Sequence, residues 1–255
     1  MAPRDNLRAQ MGAAIAAGAP GLAAADRLCR ACVDLLGVDG AAVSIVSDGV
    51  MHGTFGSSNE LSRRLDEFQF TFGEGPCLDS VRDARPVLVG DLQDPAEARW
   101  PAYAEAVLGA GVRAVYAVPV PFASTHIGAL DLYRIAPWML GGDDGVVGGF
   151  VAAELAAVPL LDLMAAQRDP PALNANSDEL DQAHARLGAL DRLEVHQATG
   201  MAMAQLNVGP EEALLRLRAY AFVHGLTAAE VARRIVDRKL SLAEDTPGAG
   251  TGGAP

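Results

Sequence analysis

Lysine is almost missing from this 255-residue chain: Lys239 stands alone against nineteen arginines. With the abundance of alanine, that imbalance reads as the bias of a GC-rich, bacterial coding sequence and carries no functional signal. Cysteine is scarce as well. Cys29, Cys32 and Cys77 form an odd, sparse set, which excludes a disulfide framework and suits a reducing compartment. No uninterrupted apolar run approaches the ~20 residues of a membrane span. The Ala/Gly-rich stretch 11–25 behind Arg4 and Arg8 lacks the strongly apolar core of a secretory signal. The expectation is a cytoplasmic protein without membrane attachment.

What is present is enough for one large or two modest domains, and half of the residues are hydrophobic, so a substantial core is available. A net charge of −12 opposes non-specific attraction to polyanions or anionic membranes. The acidity is unevenly spread. Residues 178–239 hold eight basic and nine acidic side chains, so a local basic face at the C-terminal end remains open.

Apolar residues at Leu22, Ala25, Leu28, Cys32 and Leu35/Leu36 recur every three to four positions, the period of an amphipathic helix, which Gly37 ends. Residues 41–47 and 50–55 read as strands around Asp48-Gly49, a two-residue hairpin turn. After Gly73-Glu74-Gly75-Pro76-Cys77 comes a short helical pattern through Val81, then a brief strand at 86–89 and a helix at 100–108. Residues 112–120 and 127–133 form a second strand pair turning near Ser124. Pro119 offers no ladder donor, so its strand is expected to be an edge or to end there. Residues 148–164 are again helical and apolar, whereas 1–20 suggest a frayed tail or partial helix. Helices flanking clustered strands imply an α+β fold with an antiparallel sheet, not a doubly wound parallel one.

The divisions expected are a flexible or partly helical 1–20, an α+β domain over 21–166, a Pro/Asn-rich linker at 167–177, a helical domain over 178–240 and a disordered tail at 241–255. Ser177 would cap a long helix whose Leu180, Ala183, Leu187 and Leu190 make a heptad-like seam of under two heptads. Asn207-Val208-Gly209-Pro210 breaks the chain, with Pro210 where a first helical turn tolerates it and Glu211 and Glu212 in the favourable first turn. Gly225 can close that helix, and Thr227 with Glu230 forms a capping box for the next.

Three motifs in this stretch carry a resemblance: Ala198-x-Gly200-Met201, then Ala213-x-x-x-Leu217-Arg218-x-x-Ala221, then Val231-Ala232 with Ile235-Val236. Residues 191–239 resemble the ANTAR domain, a three-helix RNA-binding module of bacterial transcription antiterminators. Residues 22–165 resemble a GAF domain, with Gly73-Glu74-Gly75-Pro76-Cys77-Leu78 typical of those found upstream of ANTAR modules. The resemblance implies binding of paired hairpin loops in nascent messenger RNA under control of a GAF signal; two hairpins and the seam from Leu180 to Leu190 suit a homodimer. The family usually places a lysine between the alanine and glycine of the first motif; Thr199 stands there instead, which removes a cation from a candidate phosphate contact.

On the last helix Arg233, Arg234, Arg238 and Lys239 fall opposite the apolar face, with Arg234 and Arg238 spaced i,i+4 to clamp phosphates or stack on unpaired bases. The plainer alternative is a solvated face with Arg233 and Asp237 as a surface pair. On the second helix Ala213/Leu214, Leu217, Ala221 and His224 form the inward stripe. Arg216, Arg218 and Tyr220 are candidate RNA contacts there, Tyr220 as a stacking ring or as half-buried core. Gly200 would admit a neighbouring backbone. Cys29-x-x-Cys32 lacks the second pair a zinc site needs, and both are expected to be small apolar residues of a helix. Cys77, at a helix start that would lower its pKa, raises the alternative of a thiol-dependent free methionine sulfoxide reductase. A small-molecule sensor acting through protein partners is the other alternative. The scattered His52, His126, His184 and His196 have no ligand spacing, and no catalytic constellation, metal or cofactor is expected. A GAF fold hosts many ligands or none, so a small molecule stays possible and unnamed.

Overall fold

The two-residue period of the strands sorts the side chains of the N-terminal unit into two cores on opposite sheet faces. The structure is a computed structural model describing residues 3–47, 50–138, 143–168 and 192–243. Chain contacts separate it into two units, residues 1–191 and 192–255. The first runs α1 (Pro3–Ala16), α2 (Leu22–Leu36), β1 (Gly40–Ser47), β2 (Val50–Ser57), α3 (Glu60–Phe72), α4 (Pro76–Arg82), β3 (Val87–Val89), α5 (Pro101–Gly109), β4 (Ala114–Phe122), β5 (Thr125–Arg134) and α6 (Asp143–Arg168). The five strands form one antiparallel sheet in the order β2-β1-β5-β4-β3.

From β4 and β5, Tyr116, Val118, Leu130 and Leu132 join a core with Met11, Leu28, Cys32 and Val151 of α1, α2 and α6. Their neighbours Val115, Ala117 and Tyr133 join the other core with Leu65 and Phe68 of α3 and Tyr103 and Val107 of α5. The sheet is therefore covered by helices on both faces, the α+β arrangement expected.

Helix α2 has the bounds its apolar spacing predicts, and Gly37 closes it in the left-handed region (φ 64°) where a Cβ is disfavoured. Residues 3–16 are more than a frayed tail: Met11 is fully buried, and the Arg27 guanidinium donates to the carbonyls of Ala14, Ile15 and Ala19. Pro119 neither ends β4 nor marks an edge strand. β4 lies between β5 and β3, but pairing to β3 stops at Ala117, so the missing N–H falls where one side of the strand has no partner strand. In α6, Gly145–Asp162 is long and apolar enough to cross a membrane (mean hydropathy 1.6). Val151, Ala152, Ala153 and Ala156 of that stretch are buried in the sheet core, and Glu154 pairs with Arg4 and Arg8, so it serves as a core helix. α6 also extends through Arg168, into the start of the expected linker. The Asp48-Gly49 turn, Ser177, the seam from Leu180 to Leu190 and residues 244–255 lie outside the described residues.

The second unit contains α7 (Leu193–Leu206), α8 (Pro210–Val223) and α9 (Ala228–Val236). Asn207 terminates α7 in the left-handed region, Gly209-Pro210 starts α8, and Gly225 (φ 62°) follows its end. Its buried residues are mostly alanine and branched aliphatics: Val195, Ala198 and Ala202 of α7, Ala213, Leu217 and Ala221 of α8, and Ala228, Val231, Ala232 and Ile235 of α9.

Candidate nucleic-acid interface

The amphipathic spacing of α9 decides which side chains face water. Its start is held by the capping box: Thr227 Oγ1 accepts from the Glu230 N–H at 3.2 Å, and Glu230 Oε2 accepts from the Thr227 N–H at 2.7 Å. With Val231, Ala232 and Ile235 inward, Arg233 and Arg234 are exposed. The helix ends at Val236. The Lys239 N–H returns to the Arg234 carbonyl at 2.8 Å and the Arg238 N–H to the Ile235 carbonyl at 3.0 Å, the two bonds of a Schellman turn.

That turn puts Arg238 at φ 57°, in the position glycine usually takes. Arg234 and Arg238 therefore do not stack along one helical face, because the chain reverses hand between them. A left-handed L-residue costs roughly 1–2 kcal/mol. The ion pairs also differ from the Arg233–Asp237 pair of the plainer alternative. Lys239 Nζ meets Asp237 Oδ2 at 2.9 Å, and Arg233 reaches across to Glu194 of α7 at 3.5 Å. All four groups are largely exposed, so each pair stabilises by at most about 1 kcal/mol.

The α8 residues divide further. Arg216 pairs with Glu212 one turn away at 3.0 Å. Arg218 is half-buried, and desolvation together with nearby Arg192 pulls its pKa below the usual guanidinium value. Tyr220 is half-buried and stacks on the ring of His224 with centroids 3.9 Å apart. His224 is exposed and does not belong to the inward stripe, because α8 ends at Val223 and His224 caps it. Gly200 faces open space with nothing near its missing Cβ, so it serves no helix contact. Thr199 turns its hydroxyl back onto the Val195 carbonyl at 2.7 Å. Sequence reasoning also missed the exposed apolar residues of α8, Leu215, Phe222 and Val223, whose positions lie off the buried stripe.

The first unit holds its polar chemistry inside. Asp66 accepts hydrogen bonds from the hydroxyls of Ser44 and Thr54. Gln69 bridges two elements: its Nε2 donates to Asp131 Oδ2 at 2.7 Å, and its Oε1 accepts from the Cys77 N–H at 2.8 Å. Gly75 (φ 145°) lets the chain pass Gln69 so closely that a Cβ would meet its Oε1 at 2.4 Å. Glu74 accepts from the N–H groups of Ala102 and Tyr103 and so anchors the start of α5. These side chains nearly close the space beside the sheet. The cavity lined by Asp66, Gln69, Tyr103 and Asp131 is about 10 Å³, room for roughly one water. Burial and then the neighbouring Asp66 carboxylate push the Asp131 carboxyl well above the ordinary carboxylate range.

All three thiols are buried. Burial raises Cys32 to about 12 and Cys29 well above the usual thiol value. Cys77 also rises, against the expectation from its helix start. Its burial, with Asp131 and Asp66 nearby, outweighs the aligned amides of the short helix α4. Among the described residues no group of three or more His, Cys, Asp or Glu side chains is placed to hold a metal.

The chain thus joins a two-faced α+β domain to a small three-helix unit. The GAF domain model matches residues 23–137 and the ANTAR domain model matches residues 181–236, and the chain belongs to the GAF–ANTAR regulators. Among solved structures it is similar to the GAF domain of an Acinetobacter phosphoenolpyruvate-protein phosphotransferase (13% identity, 64% of this chain and 97% of that one, TM-score 0.49). It is also similar to the GAF domain of the Coxiella burnetii phosphoenolpyruvate-protein phosphotransferase (17%, 65% and 96%, 0.48) and to a type II free methionine-R-sulfoxide reductase from Thermoplasma acidophilum (16%, 64% and 96%, 0.40). No curated protein matches the chain.

Proposed function

We propose that this protein is a cytoplasmic transcription antitermination regulator whose GAF unit receives a signal and whose ANTAR unit binds hairpin loops in nascent messenger RNA. The exposed cations Arg233 and Arg234 of α9, with Arg238 and Lys239 in the turn that follows it, support this reading most directly. The module that carries it is electrically balanced, with seven basic and seven acidic residues over 192–255, while the whole chain carries −12. Local cations, and not global charge, attract the phosphates. Binding energy alone does the work: a hairpin held by the protein is withheld from the competing terminator stem.

A homodimer fits two hairpins, since tethering raises the effective concentration of the second contact. A monomer by light scattering at micromolar concentration would remove that part. Buried thiols with raised pKa values argue against the sulfoxide-reductase alternative, because the thiolate is the nucleophile. Turnover of free methionine sulfoxide that vanishes in Cys77→Ser would restore it. The main test is binding to a two-hairpin RNA across a salt series. Arg234→Ala with Arg238→Ala is expected to weaken binding at least tenfold and to make the salt dependence shallower by about one to two phosphate contacts. Unchanged affinity and slope would overturn the assignment.

A further inference from the structure

Beside the turn that follows α9, an open groove of about 600 Å³ is lined by Met201, Ala204 and Gln205 of α7 and by Arg238, Lys239 and Leu240. We infer that this groove receives one unstacked nucleobase of the RNA loop, while Arg238 and Lys239 engage the phosphates beside it. The inference rests on the RNA-binding reading above and assigns a place and a residue set to its sequence recognition.

The groove has the chemistry of a nucleotide in each of its parts. Its volume falls in the range of roughly 300–1,000 Å³ typical of small-ligand clefts. Met201 and Leu240, both half-buried, offer apolar walls, and a thioether packs well against an aromatic ring. Ala204 is small and exposed, and Gly200 one turn earlier has open space where a side chain would stand, so the α7 side is open for a flat base to slide in. Gln205 is held at the rim, its Oε1 accepting from the Leu242 N–H at 3.3 Å. Its amide N–H groups are thereby set to read a base edge. No lining residue is acidic, and the Asp237 carboxylate beside Arg238 in sequence pairs with Lys239 at 2.9 Å. A planar guanidinium at Arg238 suits either a phosphate or the face of a base.

The left-handed backbone of Arg238 fits the same reading. A glycine would relax the turn, but it would remove the cation from the groove's edge.

The test uses the full chain and a tandem-hairpin RNA selected from a pool with randomised loops, with 2-aminopurine placed in turn at each loop adenine. One loop position is expected to change fluorescence on binding. Ala204→Phe fills the groove from an exposed site and leaves every cation in place. It should abolish that signal and weaken binding at least tenfold without changing the salt slope. Gln205→Ala should relax the base preference at the same position. An abasic nucleotide there should weaken the wild type to a similar degree and cost Ala204→Phe nothing further. Wild-type affinity and an intact fluorescence change in Ala204→Phe, as expected if the groove serves a protein partner, would overturn the groove assignment alone. Selection of no RNA with salt-dependent affinity would overturn the RNA reading itself.

Discussion

The two units of this chain use charged and polar side chains in opposite ways. In the GAF unit Asp66, Gln69 and Asp131 are turned inward, where the Ser44 and Thr54 hydroxyls donate to Asp66 and Gln69 links Asp131 to the Cys77 N–H, around a space of about 10 Å³. In the ANTAR unit the interior is nearly all alanine and branched aliphatics, while Arg233, Arg234, Arg238 and Lys239 stand in water. Buried polar groups are specific and costly to disturb, whereas exposed cations contribute little to folding and remain available for a ligand. The difference separates mutations that affect the fold from mutations that affect binding.

The largest expected effect tests whether the units are energetically separate. Leu217 is fully buried among the alanines of the ANTAR unit, and Leu217→Ala should cost about 2–5 kcal/mol. For a unit of this size that is most of its stability. Denaturant unfolding followed by circular dichroism should lose the ANTAR transition and keep the GAF one. A parallel shift of both transitions would show that the units unfold together.

A smaller loss is expected from Gln69→Ala, which strands the Cys77 N–H and the Asp131 carboxyl inside the GAF unit, at about 1–3 kcal/mol. Here the GAF transition should move and RNA affinity should not. An equal shift of the ANTAR transition would break the contrast.

Titration sharpens the same contrast. In the unfolded chain Asp131 should ionise near the ordinary value of about 3.9, while in the fold burial and Asp66 keep its proton to higher pH. The folded state then binds more protons than the unfolded state, so this group's contribution is complete below about pH 4 and is lost as pH rises through the folded pKa. Asp131→Asn removes the titration. Its GAF melting temperature should gain on the wild type as pH rises from 5 to 8, and a constant difference across that range would contradict the raised pKa.

Much of this was legible because local rules and tertiary packing agree. The spacing of Leu22, Leu28 and Cys32 marks α2, and Thr227 with Glu230 marks the start of α9. Helix α3 is not legible in the sequence because Asp66 and Gln69 occupy its buried face, so its apolar period is interrupted by the residues that build the polar cluster. Residues 3–16 look weakly patterned because Met11 and Ile15 are the only large apolar side chains they bury. In the candidate interface the exposed cations of α9 were legible from the 3.6-residue period. The fate of Arg238 was not, since that period was extended one turn beyond the helix, and nothing local in an arginine signals a left-handed turn. The groove beside it joins α7 to residues over thirty positions later, a proximity that only the packing of the three helices creates.

The account rests on the claim that the cations around α9 are there for RNA and not for the fold, and Arg238→Gly tests it most directly. Glycine suits the left-handed position, so the ANTAR unfolding midpoint should rise by the equivalent of about 1 kcal/mol. RNA affinity should fall severalfold, and the salt dependence should shallow by about one phosphate contact. A more stable protein that binds a tandem-hairpin RNA as tightly as the wild type would contradict the central claim.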